Sequence, residues 1–165
     1  ATELVKPAAI ELLEKYGIYT KKELEARYEI RLEAYCKHFK IEAETMLEMA
    51  NRQILPAVVS YASFLAKSIV DMRETSIALD ISAPSAMLKD VSAATAALRN
   101  ATQKLSKALV NVQKTENNLA AAVTFRDKIL PLMAEVREAA DKLESIVDEK
   151  YWPFPTYNAL LFGVE

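Results

Sequence analysis

The scarcity of glycine constrains the fold of this chain more than any other feature. Only Gly17 and Gly163 occur in 165 residues. A β-sandwich or barrel needs turn residues such as glycine about every 8–12 residues, and an α/β sheet needs many short loops. Two glycines cannot supply either architecture. The sequence therefore predicts an all-α fold, a bundle of three to four long antiparallel helices that ends in an extended tail rich in aromatic residues and proline.

The first half of the chain predicts a short helix over residues 7–16 and a long helix over residues 21–75. The start of the long helix is marked by Thr20 and Glu23, which have the spacing of a capping box. In such a box each side chain satisfies a backbone N–H that the first helical turn leaves without a partner.

Apolar residues then follow the long helix in steps of three and four, which is the period of one buried helical face. Pro56 interrupts the pattern, because proline removes one hydrogen bond and collides with the carbonyl of Arg52, so we expect a kink there. The stripe consists of Leu24, Tyr28, Leu32, Tyr35, Phe39, Ala43, Met46, Ala50 and Ile54, and it resumes at Val59, Phe64, Leu65 and Ile69.

The second half predicts a helix over residues 85–114 and another over residues 118–150, with Pro131 as a second candidate kink. Residues 81–85 are expected to form a loop that leads into the first of these helices. That helix repeats an apolar-leaning position every three or four residues, as coiled coils do. Thr115 is a possible N-cap for the next helix, although the pattern could also continue through the turn. The repeat is Leu88, Val91, Thr95, Leu98, Thr102, Leu105, Leu109 and Val112.

Charge supports an antiparallel pairing of these two helices. Residues 85–114 carry five basic residues and one acidic residue, whereas residues 115–150 carry five basic and eight acidic residues. Surface ion pairs each contribute only a few tenths of a kcal/mol, so they bias the register more than they stabilise the fold. With a tail over residues 151–165, we expect one helical domain over residues 1–165.

Composition excludes several classes of partner. The net charge is −2, from 21 basic and 23 acidic residues, so no general basic field exists for nucleic acid. No apolar run approaches the roughly 18 residues that would span a bilayer, and no signal peptide opens the chain, so no membrane partner is expected. A single cysteine, Cys36, rules out an internal disulfide and predicts a cytoplasmic protein.

The sequence offers no recognisable catalytic, cofactor-binding or metal-binding residue. Two glycines cannot form a phosphate-binding loop, and a lone histidine, His38, excludes a di-metal site of the ferritin type. Cys36 and His38 lie about 200° apart around a helix and cannot chelate one ion together, so we expect a tucked cysteine and a surface His38–Glu42 pair. The remaining carboxylate groups are those of a solvated face, namely Glu42, Glu44, Glu48, Asp141, Glu144, Asp148 and Glu149.

The tail is the one segment with the composition of a docking surface. Pro153 and Pro155 disfavour helix at the residues before them, and aromatic side chains on a stiff backbone lose little entropy when they dock. Thr156 can cap a short helix through Phe162, with Gly163 as its stop. The tail packs either on its own bundle or on another subunit or domain. The candidate docking residues are Trp152, Phe154, Tyr157, Leu161 and Phe162.

Several segments, taken in order, resemble the C-terminal helical region of type III glutamine synthetases. The resemblance covers nearly the whole chain, but residues 85–114 match only in being helical. The tail and the Pro56 segment together are its most specific part. The segments are Glu14–Gly17 (EKYG), Arg27–Ile30 (RYEI), Met46–Ala50 (MLEMA), Ile54–Ala57 (ILPA), Trp152–Tyr157 (WPFPTY) and Leu160–Phe162 (LLF).

The resemblance implies a large bacterial ligase of nitrogen metabolism that joins glutamate and ammonia, using ATP and Mg²⁺ or Mn²⁺. It implies two stacked hexameric rings of one subunit type, with the metal-binding and phosphate-binding residues in an upstream catalytic domain. None of those motifs occurs here, so no catalytic residue is transferred and the fragment alone is expected to be inactive. An initial Ala1 instead of Met agrees with a piece cut from the longer enzyme.

Two functions from different classes stay open. The first is an accessory and assembly module of the ligase, whose partners are the upstream catalytic domain and neighbouring subunits. The alternative is a free-standing helical adaptor with no enzymatic activity. The mass of the native gene product separates the two, because the first requires several hundred residues before Ala1.

Overall fold

A computed structural model describes residues 2–115, 117–155 and 157–163, with the side chains of Tyr157 and Asn158 outside the description. No strand occurs among these residues, and the predicted all-α class is confirmed. The elements are a 3₁₀ turn at Thr2–Val5, α1 (Pro7–Lys15), α2 (Lys21–Met49), α3 (Leu55–Glu74), α4 (Ser82–Val112), α5 (Asn118–Thr124), α6 (Leu130–Ile146) and α7 (Tyr157–Phe162); single π-helical turns at Ala50–Ile54 and Phe125–Ile129 continue α2 into α3 and α5 into α6.

Packing divides the chain into two compact units. The first unit comprises Ala1–Glu44 and Lys107–Pro131, and the second comprises Thr45–Ser106 and Leu132–Glu165. Each is described below by itself. The expectation of one domain over residues 1–165 stays a prediction.

The first unit contains the capping box that the sequence predicts. The Thr20 N–H donates to Glu23 Oε2 at 2.7 Å, and the Glu23 N–H donates to Thr20 Oγ1 at 3.4 Å. α2 therefore begins at Lys21 as expected. α5 is capped by Asn117, whose Oδ1 accepts the Ala120 N–H at 2.9 Å, and not by Thr115. Its core is apolar and consists of Leu24, Leu32, Ala43, Leu109, Val112, Ala121, Ala122, Phe125 and Ile129.

The second unit buries most of the regular seam of α4 together with apolar residues of α3 and α6. Thr102, only 1% exposed, fits this seam because its hydroxyl donates to the Arg99 carbonyl oxygen at 2.9 Å. An ion pair of 3.0 Å between Lys104 and Glu135 joins α4 to α6, as the charge pattern predicts. The core includes Val58, Tyr61, Leu65, Ile69, Val91, Ala94, Leu98, Leu105, Met133, Val136 and Leu143.

The predicted stripe is wrong beyond Pro56 at two positions. Val59 and Phe64 are 55% and 51% exposed, whereas Leu65 is buried. An α-helix continued from Leu24 would turn Phe64 inward. The π-helical turn adds one residue, which rotates the following residues by about 100° and moves the inward position from Phe64 to Leu65.

Two helix ends differ from their predicted positions by more than two residues. α4 begins at Ser82 rather than at residue 85, because Asp80 Oδ1 accepts the Ser82 N–H at 2.8 Å and Pro84 falls in the first turn, where no N–H is needed. α6 ends at Ile146 rather than at residue 150. Asp148 ends it by forming a turn in which its Oδ1 accepts the Lys150 N–H at 2.8 Å.

Among the residues that the structure describes, one helical stretch is long and apolar enough to cross a membrane, judged by length and composition only. Within Lys21–Glu74 an 18-residue window has a mean hydropathy of 1.4, and 28% of that window is buried. Counting uninterrupted apolar runs misses it, because the window tolerates charged residues. Core helices of soluble proteins have the same composition, so this is weak support for a membrane role.

Candidate docking site

The first half of the tail is anchored on the second unit. Trp152 is 9% exposed, and its backbone N–H donates to the carbonyl oxygens of Asp148 at 3.2 Å and Glu149 at 3.1 Å. The half-buried Phe154 meets the Trp152 ring edge-on, with ring centroids 6.5 Å apart. The structure thus places two of the five predicted docking residues together and leaves Trp152 little free surface.

Tyr151 makes the aromatic contacts that sequence reasoning missed. Its ring centroid lies 5.4 Å from that of Tyr61 and 5.8 Å from that of Phe64. Burial raises the pKa of Tyr61, and the nearby Asp148 carboxylate raises it further. The available signal was the spacing of Tyr61 and Phe64, which three residues apart share one side of α3.

The second half of the tail is exposed. The side chains of Leu160, Leu161 and Phe162 are 67%, 73% and 74% exposed on α7. Tyr157 begins this helix, but its side chain lies outside the described residues, as does the predicted cap, Thr156.

The predicted stop at Gly163 has a clear physical cause. Its N–H donates to the Ala159 carbonyl oxygen at 2.8 Å. A Cβ at this position would collide with that same oxygen, so no other residue fits without a backbone shift. Glycine therefore ends α7 immediately after its exposed apolar side chains.

Cys36 and His38 do not form a site. Cys36 is half-buried, its thiol approaches the Asn118 carbonyl oxygen at 3.9 Å, and burial raises its pKa. His38 Nε2 lies 3.1 Å from Glu42 Oε1, as predicted from their spacing. Across residues 2–115, 117–155 and 157–163, no group of three or more histidine, cysteine, aspartate or glutamate side chains could hold a metal ion.

Comparison with known proteins identifies relatives of this chain. Residues 1–73 match the glutamine synthetase C-terminal domain. A glutamine synthetase from Butyrivibrio fibrisolvens is 31% identical over 97% of this chain, and a type-3 glutamine synthetase from Dictyostelium discoideum is 34% identical over 93%. A glutamine synthetase from Bacteroides fragilis (strain YCH46) is 28% identical over 88%.

The chain spans only 20–23% of the length of these relatives. The resemblance inferred from the sequence is confirmed. One relative comes from Dictyostelium rather than from a bacterium, so a bacterial source stays a prediction.

Proposed function

We propose that this chain is an accessory and assembly module of a larger ligase, because it is similar to glutamine synthetases and its residues 1–73 match their C-terminal domain. This parent ligase joins glutamate to ammonia at the expense of ATP in the cytoplasm. The module supplies contact surface and no catalytic residue.

The exposed half of the tail is the observation that carries this proposal. Leu161 and Phe162 are exposed to nearly three quarters, although Trp152 is buried and Phe154 is half-buried in the first half of the tail. Three consecutive large apolar side chains exposed in this way favour an interaction site, because their hydration is costly. The anchored Trp152 fixes the start of the tail within the second unit.

The occupant that we propose for α7 is another part of the same enzyme. About four fifths of each relative's length lies outside the similarity, which leaves ample chain to cover this surface. The upstream catalytic domain of the same polypeptide and a neighbouring subunit both satisfy this description. In the double-hexamer assembly that the resemblance implies, such contacts recur at every symmetry-related copy.

The described residues of this chain do not offer a ligand set for the metal cofactors of the parent reaction. Mg²⁺ and Mn²⁺ require convergent oxygen ligands, and the described residues bring no three ligating side chains together. The ion-paired carboxylates of α2, such as Glu33 and Glu42, point along their own helix to residues four positions away. We therefore assign ATP and metal binding to the upstream catalytic domain.

Substitution of the α7 face in the full-length enzyme tests the proposal. Replacing Leu161 with Gln and Phe162 with Ser removes the apolar surface without touching Trp152. We expect light scattering to show smaller assemblies and glutamine formation to fall with them. The matched control is Val110→Gln, which changes an apolar side chain that is 53% exposed on α4. Unchanged assembly in the α7 variant, with the control also unchanged, would refute the docking role.

The adaptor alternative is separated by the mass of the native gene product. A subunit several hundred residues longer than this chain supports the ligase module. A native product of this chain alone, with no ligase activity in its complexes, supports the adaptor.

A further inference from the structure

A shallow cavity of about 320 Å³ opens in the first unit between α2 and the helix that starts at Asn118. Its floor is apolar and includes the buried Leu32 together with Leu119 and Val123, which are 40% and 39% exposed. Large apolar side chains left half-exposed at the bottom of a concave surface indicate room for an apolar ligand group.

The rim of this cavity is polar and comes from two helical segments and from Thr2 of the 3₁₀ turn. Arg31 and Tyr35 are four residues apart on α2, so they share one side of it. Leu119, Val123 and Arg126 follow in steps of four and three along the opposite wall, which brings Arg126 to the same opening. Two guanidinium groups and one phenol thus surround the apolar floor.

The two arginines differ in their charge balance. Arg126 is neutralised by its neighbour, with Nε 2.6 Å from Asp127 Oδ1 and a terminal nitrogen 2.9 Å from Asp127 Oδ2. Arg31 forms no ion pair in the described part of the chain. The cavity therefore carries one unbalanced positive charge beside an apolar surface.

Two other cavities in the described residues lack this combination. The one of about 350 Å³ in the second unit is lined by the Lys104–Glu135 ion pair and by both Glu138 and Lys142. The one of about 420 Å³ in the first unit contains Lys37, which pairs with Glu33 at 2.6 Å. In the second-unit cavity, two acidic and two basic side chains balance each other. In the first-unit cavity both lysines are ion-paired, because Lys40 also lies 3.8 Å from Glu44.

We propose that the cavity rimmed by Arg31 binds an amphipathic anion, a carboxylate or sulfonate attached to a flat apolar body. The Arg31 guanidinium donates to the anionic group, since its planar donors match two oxygens at once. The apolar body lies on Leu32, Leu119 and Val123. Tyr35 and the remaining N–H groups of Arg126 line the edge and limit the size of the headgroup.

A pair of fluorescent probes tests the two halves of this proposal. 8-Anilinonaphthalene-1-sulfonate has the required sulfonate and flat body, whereas N-phenyl-1-naphthylamine has the same body without the charge. We expect the sulfonate to bind with a Kd on the order of 10–100 μM, and the neutral probe about tenfold more weakly. Arg31→Gln should reduce sulfonate binding about tenfold and leave the neutral probe unchanged.

Two controls make the result specific to the cavity. Arg52→Gln removes an exposed arginine of the second unit and should leave both affinities unchanged. The exposed side chains of α7 can also bind dye, so the measured quantity is the part of the sulfonate binding that is lost in the Arg31→Gln variant. Circular dichroism must show that this variant is folded. Val123→Glu should abolish that same component by placing a charge on the floor.

Three outcomes would overturn the proposal. The first is equal binding of both probes, which would reduce the cavity to an apolar surface. The second is full displacement of the sulfonate probe by inorganic sulfate at about its own concentration, which would indicate a bare anion site. The third is an Arg31→Gln variant that binds the sulfonate probe as tightly as the unsubstituted chain does.

Discussion

The two π-helical turns have the same backbone conformation but differ in the interactions of their side chains. One, Ala50–Ile54, lies in the second unit, and the other, Phe125–Ile129, lies in the first. Each is followed by a leucine whose N–H donates to the carbonyl five residues earlier, Leu55 to Ala50 and Leu130 to Phe125. A proline comes next in both.

Proline explains why the same turn forms twice. It has no N–H to donate, and its ring collides with the carbonyl four residues earlier. A π turn inserts one residue, which carries that carbonyl away from the ring and lets the helix continue. Both turns also begin and end with a buried residue, as shown by Ala50, Ile54, Phe125 and Ile129. The local sequence thus sets the backbone in both units.

The side chains of the two turns then diverge. Asn51 Oδ1 accepts from Arg99 of α4 at 3.0 Å, while its Nδ2 donates to the Leu47 carbonyl oxygen at 2.8 Å. Arg126 instead pairs with the adjacent Asp127 and faces the cavity of the first unit. The first turn ties two helices together, whereas the second presents a polar group to solvent. The comparison shows that the same backbone conformation does not determine which interactions its side chains make.

The largest expected effect comes from truncating the buried isoleucine of each turn to alanine. Ile129→Ala and Ile54→Ala should each lower the free energy of unfolding by about 2–5 kcal/mol, the range for such core truncations. Ile129 is fully buried and Ile54 is 6% exposed, so we expect Ile129→Ala to cost more. Urea denaturation followed by hydrogen exchange in each unit measures both. Equal or reversed costs would contradict this ranking.

The next largest effect tests proline as the cause of both turns. Deleting Gln53 or Lys128 should force a regular helix against the proline ring and cost about 3 kcal/mol. Combining each deletion with Pro56→Ala or Pro131→Ala should recover most of that loss. Hydrogen exchange at the following amides reports which register forms. A deletion that proline replacement does not rescue would show that core packing, and not proline, maintains the π turn.

A smaller effect separates the side-chain roles. Asn51→Ala removes the bond to Arg99 and should cost about 1 kcal/mol, the usual net value of one hydrogen bond. Arg126→Ala removes an exposed, solvent-screened pair between neighbours and should leave the urea midpoint nearly unchanged. The urea midpoints of both variants, with Arg99→Ala as the partner variant, check the difference. If Asn51→Ala and Arg126→Ala cost the same, the two turns do not differ in this way.

Local signals in the sequence predicted part of this structure and missed the rest for physical reasons. Thr20 and Glu23 are three residues apart, so their spacing alone predicts the cap. Pro56 and Pro131 likewise mark where the helices are interrupted. The form of the interruption could not be read, because a π turn and a kink satisfy the same proline. That choice moved Leu65 inward in place of Phe64.

Contacts between distant residues were the least predictable. Asn51 and Arg99 lie 48 positions apart, and nothing in either local sequence indicates their bond. The predicted docking residues fall into a packed group and an exposed group, and this division also depends on contacts between distant residues. Composition alone marks Trp152 and Phe162 equally, but only the fold shows that one is packed and the other 74% exposed.

The smallest expected effect concerns pH and distinguishes the turns by their composition. The hydrogen bonds from Arg126 hold the pKa of Asp127 below its ordinary value of 3.8, whereas the turn Ala50–Ile54 contains no carboxylate. A carboxyl group whose pKa is lowered by folding stabilises the folded state above its unfolded pKa, and this contribution disappears as the pH falls through the folded value. The free energy of unfolding should therefore fall slightly more in acid for the unsubstituted chain than for the Asp127→Asn variant.

Melting curves from about pH 6 to about pH 3 measure that difference, with Asn51→Ala as the control for the other turn. The control should follow the parent chain's pH profile at a constant offset, because it removes no titrating group. The Asp127 side chain is 50% exposed, so the Arg126 pair is screened by solvent and the divergence should be confined to the acid end. Identical profiles of stability against pH for the Asp127→Asn variant and the unsubstituted chain would mean that the Arg126–Asp127 pair does not contribute to stability. The second turn would then differ from the first only in the arginine that it contributes to the cavity.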